Sequence, residues 1–488
     1  MRLVKYRGMA MVKFFKSFSL SAVELGLAVV VVIVTLPSSA FCDLFHANNF
    51  LIGDRAMGLG GAYSAVSDDA SAIVYNPAGM AFAQSPSFSG SANAFYRRNT
   101  VYKDTIGTDD FVEKSQGSVP SFFGGIQQIK SLGKGTAIGF AIYSPDSDSK
   151  SQNDLIKKPE LGIRNFHRTI NTQASTTFLG IGGATRLGSQ LGVGAGFNAI
   201  KIDEITQEYQ DATGKANVKG LVLTEAAAKR GTLVTDITQN RKFSLSIIAL
   251  EPMIGIQYAP LSTFVVGLTY RQPIILSQDF SLNTDSVRLN RFEDYTPLSA
   301  ADIADGSSEE WLKLRERGAK ILKQTPETAS DGLPKGVVKL DKPFGGLPAE
   351  VRLGLAWFAT SRFLWTGDVS LRLAPAAGDL PASATEDVIN LHSGAEFYLT
   401  PSFPIRFGLF TNFDSRPELS ANKTSQEDHI DCYGSSLVVS WASGGAQIGI
   451  GTVAQYGTGE SQKVADDRTI QEVESYFYSM VVATSFTM

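Results

Sequence analysis

The sequence predicts an all-β protein: a 14-stranded antiparallel transmembrane β-barrel with an N-terminal hatch plugging the lumen. Three observations carry this. Apolar and polar residues alternate with a period of two over most of the chain, tight turns recur after every second strand, and apolar residues are spread out rather than gathered into long runs. The 488 residues are 43% hydrophobic and 19% charged, with 46 Gly, 30 Phe and 15 Tyr. Mean hydropathy is zero. The longest apolar run, Leu25 to Leu36, falls short of the roughly 20 residues a helix needs to span a bilayer. Two distant cysteines exclude a disulfide-stapled miniprotein and a multi-Cys zinc module. Four unclustered histidines offer no metal site, and no cofactor is expected. With 44 basic against 48 acidic residues there is no basic excess for nucleic acid.

Residues 1–40 read as a secretory signal. Arg2, Lys5, Arg7, Lys13 and Lys16 precede the apolar run, and Ser38 and Ala40 supply a cleavage site after Ala40. The mature chain then holds 39 basic and 47 acidic residues, a net charge of −8.

From about residue 85 the alternation is that of strands. In Leu191–Asn198 one face reads Leu, Val, Ala, Phe and the other Gly, Gly, Gly, Asn. Val351, Leu353, Leu355 and Trp357 share a face; so do Ile405, Phe407 and Leu409, and Leu437, Val439 and Trp441. Six tight turns are expected, at 130–134, 187–190, 259–262, 360–362, 400–402 and 442–445. They imply twelve strands; one more at 85–99 and one at 474–487 complete the even number a bacterial barrel requires. Longer polar connections, chiefly 208–242 and 284–345, fall on the opposite rim. They contain helix-like pieces at 219–230 and 307–323. The domain plan is thus signal 1–40, hatch 41–84 and barrel 85–488.

The segment 41–84 does not alternate. It carries Gly58-Leu59-Gly60-Gly61-Ala62-Tyr63-Ser64, then Ser67-Asp68-Asp69-Ala70, then Asn76-Pro77-Ala78. No Gly-Lys-Ser/Thr follows the glycines, so a phosphate-binding loop is excluded. A compact small-residue element suits the lumen of a barrel too wide for side chains alone to fill.

This motif set resembles the hatch of the FadL/OmpP1/TodX family of outer-membrane transport proteins. Val193–Ala199, Gly267–Arg271 and Leu347–Arg352 are weaker matches along the barrel. The resemblance implies a non-enzymatic, monomeric protein in the outer membrane of a Gram-negative bacterium. Its partners would be outer-membrane lipids and hydrophobic small molecules such as long-chain fatty acids. These would be captured at extracellular loops, bound in the lumen and released by hatch movement or sideways. A related secretion-associated branch keeps a second role open, a non-transporting barrel for secretion or surface attachment.

Alternation turns Arg271, Arg352, Arg372 and Arg406 toward the lumen, because an arginine facing lipid at mid-membrane costs about 2–4 kcal/mol. They are candidates for an anionic head group, or else pair with Glu350, Asp368, Asp68 or Asp69. In the hatch, Gly58 and Gly60 mark tight packing, Asp68 and Asp69 a latch, and Asn76, Pro77 and Ala78 a turn anchored to the wall. Family members release ligand through a distortion of the third strand, here 135–144. Gly139 and Pro145 are the candidates for that distortion, with Pro145 otherwise the start of the next loop. A tether between Cys42 and Cys432 is conceivable. His392 and His429 read as isolated loop residues, with no nucleophile motif beside them.

Overall fold

The computed structural model describes residues 45–47, 49–133, 135–158, 163–215, 232–293, 336–380, 383–423, 426–463 and 469–487. The signal segment, Cys42, and the helix-like pieces at 219–230 and 307–323 lie outside them. Two short helices, α1 (Asp54–Gly58) and α2 (Ala72–Tyr75), and a 3-10 turn (Pro77–Phe82) form the hatch. Sixteen strand segments follow. The first eight are β1 (Ser87–Ile106), β2 (Asp109–Gln128), β3 (Ala137–Lys158), β4 (Ile163–Leu187), β5 (Leu191–Lys215), β6 (Thr232–Leu261), β7 (Phe264–Arg271) and β8 (Ile274–Glu293). The rest are β9 (Gly336–Lys339), β10 (Ala349–Thr360), β11 (Phe363–Leu373), β12 (Val388–Thr400), β13 (Phe403–Asn412), β14 (His429–Ser443), β15 (Ala446–Ser461) and β16 (Gln471–Thr487).

They close into a barrel of fourteen strands. β1 pairs with β16, so first and last strands seal the cylinder. β7 and β8 are two lengths of a single wall strand: both pair with β6, and the chain breaks between them at Gln272-Pro273. β9 is a short addition on the upper edge of β8.

All six expected turns join strands at one rim, the end where Ser87 pairs with Thr487. Trp357, Trp365 and Trp441 lie beside them, exposed on the outer face, as interfacial anchors do. The opposite rim departs from expectation. β1 and β2 meet in a two-residue turn rather than a long loop, and strand persists through 208–215, 232–242 and 284–293. Hydrophobic alternation ends where lipid ends, but the backbone ladder continues into water. On β5 the inward side chains there are polar and buried: Glu204, Thr206, Glu208 and Gln210.

Candidate functional site

The hatch is seated on bare backbone. Inward-facing glycines on neighbouring strands leave room for it: Gly408 on β13, Gly394 on β12, Gly354 on β10, Gly267 on β7, Gly255 on β6 and Gly194 on β5. A side chain at Gly408 would overlap the backbone of Gly60, and one at Gly394 that of Leu59. Gly60 and Gly61 have φ of +65° and +80°, which side chains resist. Gly58 meets Arg406 and Val438 closely enough to exclude any β-carbon. Ala78 is fully buried against Gly194, and the Asn76 amide donates to Ser64 O at 2.8 Å and to Ile256 O on β6 at 3.0 Å. Its Oδ1 accepts from Ala78 N at 3.0 Å, and Pro77 opens the 3-10 turn, where a missing N–H costs nothing.

Wall carboxylates hold this seat. Asp368 Oδ2 on β11 accepts from Tyr63 N (3.1 Å), Ser64 N (3.0 Å) and Ser64 Oγ (2.6 Å). Glu396 on β12 takes Arg55 of the hatch through two bonds, at 3.1 and 2.9 Å, and Arg406 at 2.6 Å. The link to the wall is therefore Arg55, which the sequence reading passed over. Asp68 pairs with Arg55 at 3.1 Å, and Asp69 caps its own turn by accepting from Ser71 N at 2.8 Å. His392 is no loop residue: it is buried on β12 with Nδ1 at 2.8 Å from Gly60 O. His429 opens β14, its Nδ1 2.6 Å from Arg416 O.

Above the hatch lies a cavity of about 160 Å³. Three of the four arginines meet there, Arg271, Arg352 and Arg372, with Glu251 and Glu350 among them. Glu350 lies 3.2 Å from Arg352 and 3.7 Å from Arg271. Arg352 also donates to Gly61 O, and Arg372 to Phe45 O, each at 3.3 Å. Phe50, Ile52, Val74, Phe178, Ile200, Ile202 and Leu347 supply its apolar lining, and His46, Asp146 and Thr176 add polar groups. Arg406 is not part of this site. It is buried below, between Glu396, Asp54 and Ser440, as a piece of the hatch seat. None of the four pairs with Asp68 or Asp69 among the bonds described.

A second cavity, about 150 Å³, opens above the first. It is charged: Lys150, Lys463 and Arg168 converge on Glu113 at 2.7, 3.0 and 3.3 Å. His46 lines both cavities, with Ala47 and Phe50 on the lower one and Phe45 and Asn49 on the upper. Cys432 faces the upper one.

β3 does not end at Ser144 but runs through Pro145 to Lys158, so Pro145 starts no loop. Its ladder with β2 extends only from Gln128↔Ala137 to Phe122↔Tyr143. Beyond that point the strands part, β3 slips register against β4 between Tyr143 and Asp146, and each strand carries a proline, Pro120 and Pro145. Neither proline can donate to a ladder. Tyr143, Pro145 and Asp146 line the lower cavity, so the parted wall adjoins the arginine site. Gly139 is not a distortion. It is paired on both sides and makes room for Met80 of the hatch.

Relatives agree with this architecture. The profile of an outer membrane protein transport family (OMPP1/FadL/TodX) matches residues 33–286. The chain is similar in structure to a Pseudomonas aeruginosa FadL homologue, with a TM-score of 0.56, 13% identity, and coverage of 92% of this chain and 100% of that one. It is similar to the Pseudomonas putida toluene transporter TodX, with a TM-score of 0.51 and 12% identity over 91% of this chain and 100% of the other. For the Ralstonia pickettii toluene transporter TbuX the values are 0.50 and 11%, over 90% and 98%. No curated protein matches the sequence. By the profile match, which spans more than half its length, the chain belongs to the OMPP1/FadL/TodX family, and is an outer-membrane channel for hydrophobic compounds rather than an enzyme.

Proposed function

We propose that this channel carries an amphiphile with an apolar body and an acidic head, of the long-chain fatty acid type. The ligand descends from the charged upper cavity into the arginine-lined one and leaves sideways between β2 and β3, while the hatch stays as the floor. The carrying observation is the lining of the lower cavity: apolar Phe50, Val74, Phe178, Ile200, Ile202 and Leu347, together with three arginines, Arg271, Arg352 and Arg372, beside the carboxylates of Glu251 and Glu350. Burying the body contributes about 0.8 kcal/mol per methylene, so a long chain supplies ample affinity and the arginines set orientation. Two of the similar structures are toluene transporters; a neutral aromatic gains only a cation–π contact from a guanidinium, about 0.5–2 kcal/mol, and no charge-assisted hydrogen bond. The parted β2–β3 ladder beside this cavity supports the sideways route. Capture at the extracellular connections expected at 208–242 and 284–345 falls largely outside the described residues.

The test compares palmitate with hexadecanol and toluene by equilibrium binding to detergent-solubilised protein. Wild type should favour palmitate. Replacing Arg372 by Met should weaken palmitate roughly ten- to a hundred-fold, the worth of one charge-assisted hydrogen bond, and leave hexadecanol unchanged. Equal binding of palmitate and hexadecanol by wild type, with no loss in R372M or R271M, overturns the acidic head.

A further inference from the structure

We propose that Tyr96 is the shutter of the opening between β2 and β3, a residue that sets how fast ligand leaves. The proposal rests on the sideways route put forward above.

Parting two strands leaves backbone groups on each edge in need of partners. Between Phe122↔Tyr143 and the upper end, where the Gln152 side chain bridges to Val112 O (2.8 Å) and Lys114 N (2.9 Å), no ladder joins β2 to β3. Groups from elsewhere serve the β3 edge instead. Phe50 N of the hatch strap donates to Pro145 O at 3.0 Å. The Asn49 amide donates to the Asp146 carboxylate at 3.0 Å. Ser149 N donates to the hydroxyl of Tyr96 at 3.2 Å.

That last contact is unusual in its reach. Tyr96 belongs to β1, one strand beyond β2, and its ring must cross β2 to meet β3. It does so over Gly117, where a β-carbon would stand 3.0 Å from the ring. The β1–β2 register slips between Asn93 and Tyr96, which frees the backbone to aim the side chain inward. The ring is 2% exposed, so it lies inside the barrel across the gap and not on the lipid face. A single side chain is thus laid over the opening and fastened to its far edge by one hydrogen bond.

The bar is also connected to the ligand site. The Phe50 ring packs edge-on against Tyr96 at 5.2 Å, and Phe50 lines the arginine cavity together with Pro145. A chain filling that cavity presses on Phe50, and displacing Phe50 removes both the packing on Tyr96 and the bond to Pro145 O. Occupancy of the cavity and release of the shutter are coupled through one residue.

The experiment loads purified protein with cis-parinaric acid, a fluorescent long-chain fatty acid, and follows its transfer into liposomes by stopped flow. Tyr96→Phe removes only the hydroxyl and should speed release about threefold, the worth of one net hydrogen bond. Tyr96→Ala also removes the ring and should speed it by about tenfold or more. Equilibrium affinity in detergent should move less than the rate, because Tyr96 does not line the cavity. With Cys42 and Cys432 replaced by Ser, a bifunctional thiol cross-link between cysteines placed at Ser115 and Lys150, which line the upper cavity from the two sides of the gap, should stop release with Tyr96 present and in both variants. If the cross-link stops release but both variants match wild type, the route stands and Tyr96 is not its shutter. If the cross-linked protein releases at the wild-type rate, the route fails and the shutter with it. Should Tyr96→Ala not fold, Tyr96→Phe decides.

Discussion

The two halves of the barrel treat the hatch differently. Glycine seats run from β3 to β13, but on β11 and β12 wall carboxylates add to them, Asp368 on Tyr63 and Ser64 and Glu396 on Arg55. On β3 the seat at Gly139 is low in the wall, and above it the strap at Asn49 and Phe50 fills in for a missing ladder. Wall strands differ too, with 10–13 residues in β10 to β13 and 20–30 in β1 to β6. A wall that must open needs strands held by replaceable partners, whereas one that must hold a floor needs contacts with no room for slack. The grip on one side leaves the other free to part without releasing the hatch.

The sharpest way to break that contrast is to spoil a glycine seat. Gly408→Val places side-chain atoms on the backbone of Gly60 and Leu59, which cannot rotate aside. Overpacking of this kind costs roughly 1–3 kcal/mol even where side chains yield, so here the hatch leaves its seat. Planar-bilayer recordings should change from a closed barrel to a conducting pore, and the hatch should become sensitive to protease. Gly183→Ala, on the lipid face with its nearest neighbours at 3.6 and 3.8 Å, should do neither. A closed Gly408→Val channel would mean that the grip is not built on these glycines.

Asp368→Ala is the next test. It strands two backbone N–H groups and the Ser64 hydroxyl in a buried place, at about 1–3 kcal/mol for each group left unsatisfied. The hatch should unfold at lower urea than the barrel, read by protease nicking between Asp54 and Phe82. Asp368→Asn, which still offers a carbonyl oxygen, should recover part of the loss. An unchanged hatch midpoint in the alanine variant would shift the grip wholly onto Glu396.

The contrast also explains what the sequence disclosed. Lipid enforces alternation, so the turns, the strand count and the inward arginines could be read directly. The hatch was legible through Gly60 and Asn76-Pro77, since unusual backbone needs particular residues. What escaped was everything set by long-range pairing. Arg55 sits 341 residues from Glu396, and no local signal links them. Arg406 looked like its three fellows because alternation gives the face and not the height at which a side chain meets the hatch. Pro145 was visible as a breaker, but Pro120 on the facing strand and the bridge from Tyr96 show only once the strands are side by side. The polar ends of β5, β6 and β8 read as loops because water, unlike lipid, imposes no pattern.

The smallest expected effect lies at the seam between the two halves. Asn76 joins the hatch to β6 through Ile256 O and caps the turn at Ala78 N. Changing Asn76 and Pro77 together to Ala removes a cap worth about 1 kcal/mol and the amide's bonds to Ser64 O and Ile256 O. The hatch should loosen by an amount visible in hydrogen exchange of Ala78 to Phe82. Uptake of fatty acid should nevertheless stay within about a factor of two, because Asp368 and Glu396 still hold the floor in its seat and ligand leaves through the wall. If uptake instead rises or falls in step with the exchange rate, the floor moves during each passage. The division of labour between gripping wall and opening wall would then be wrong, and the hatch itself would be the gate.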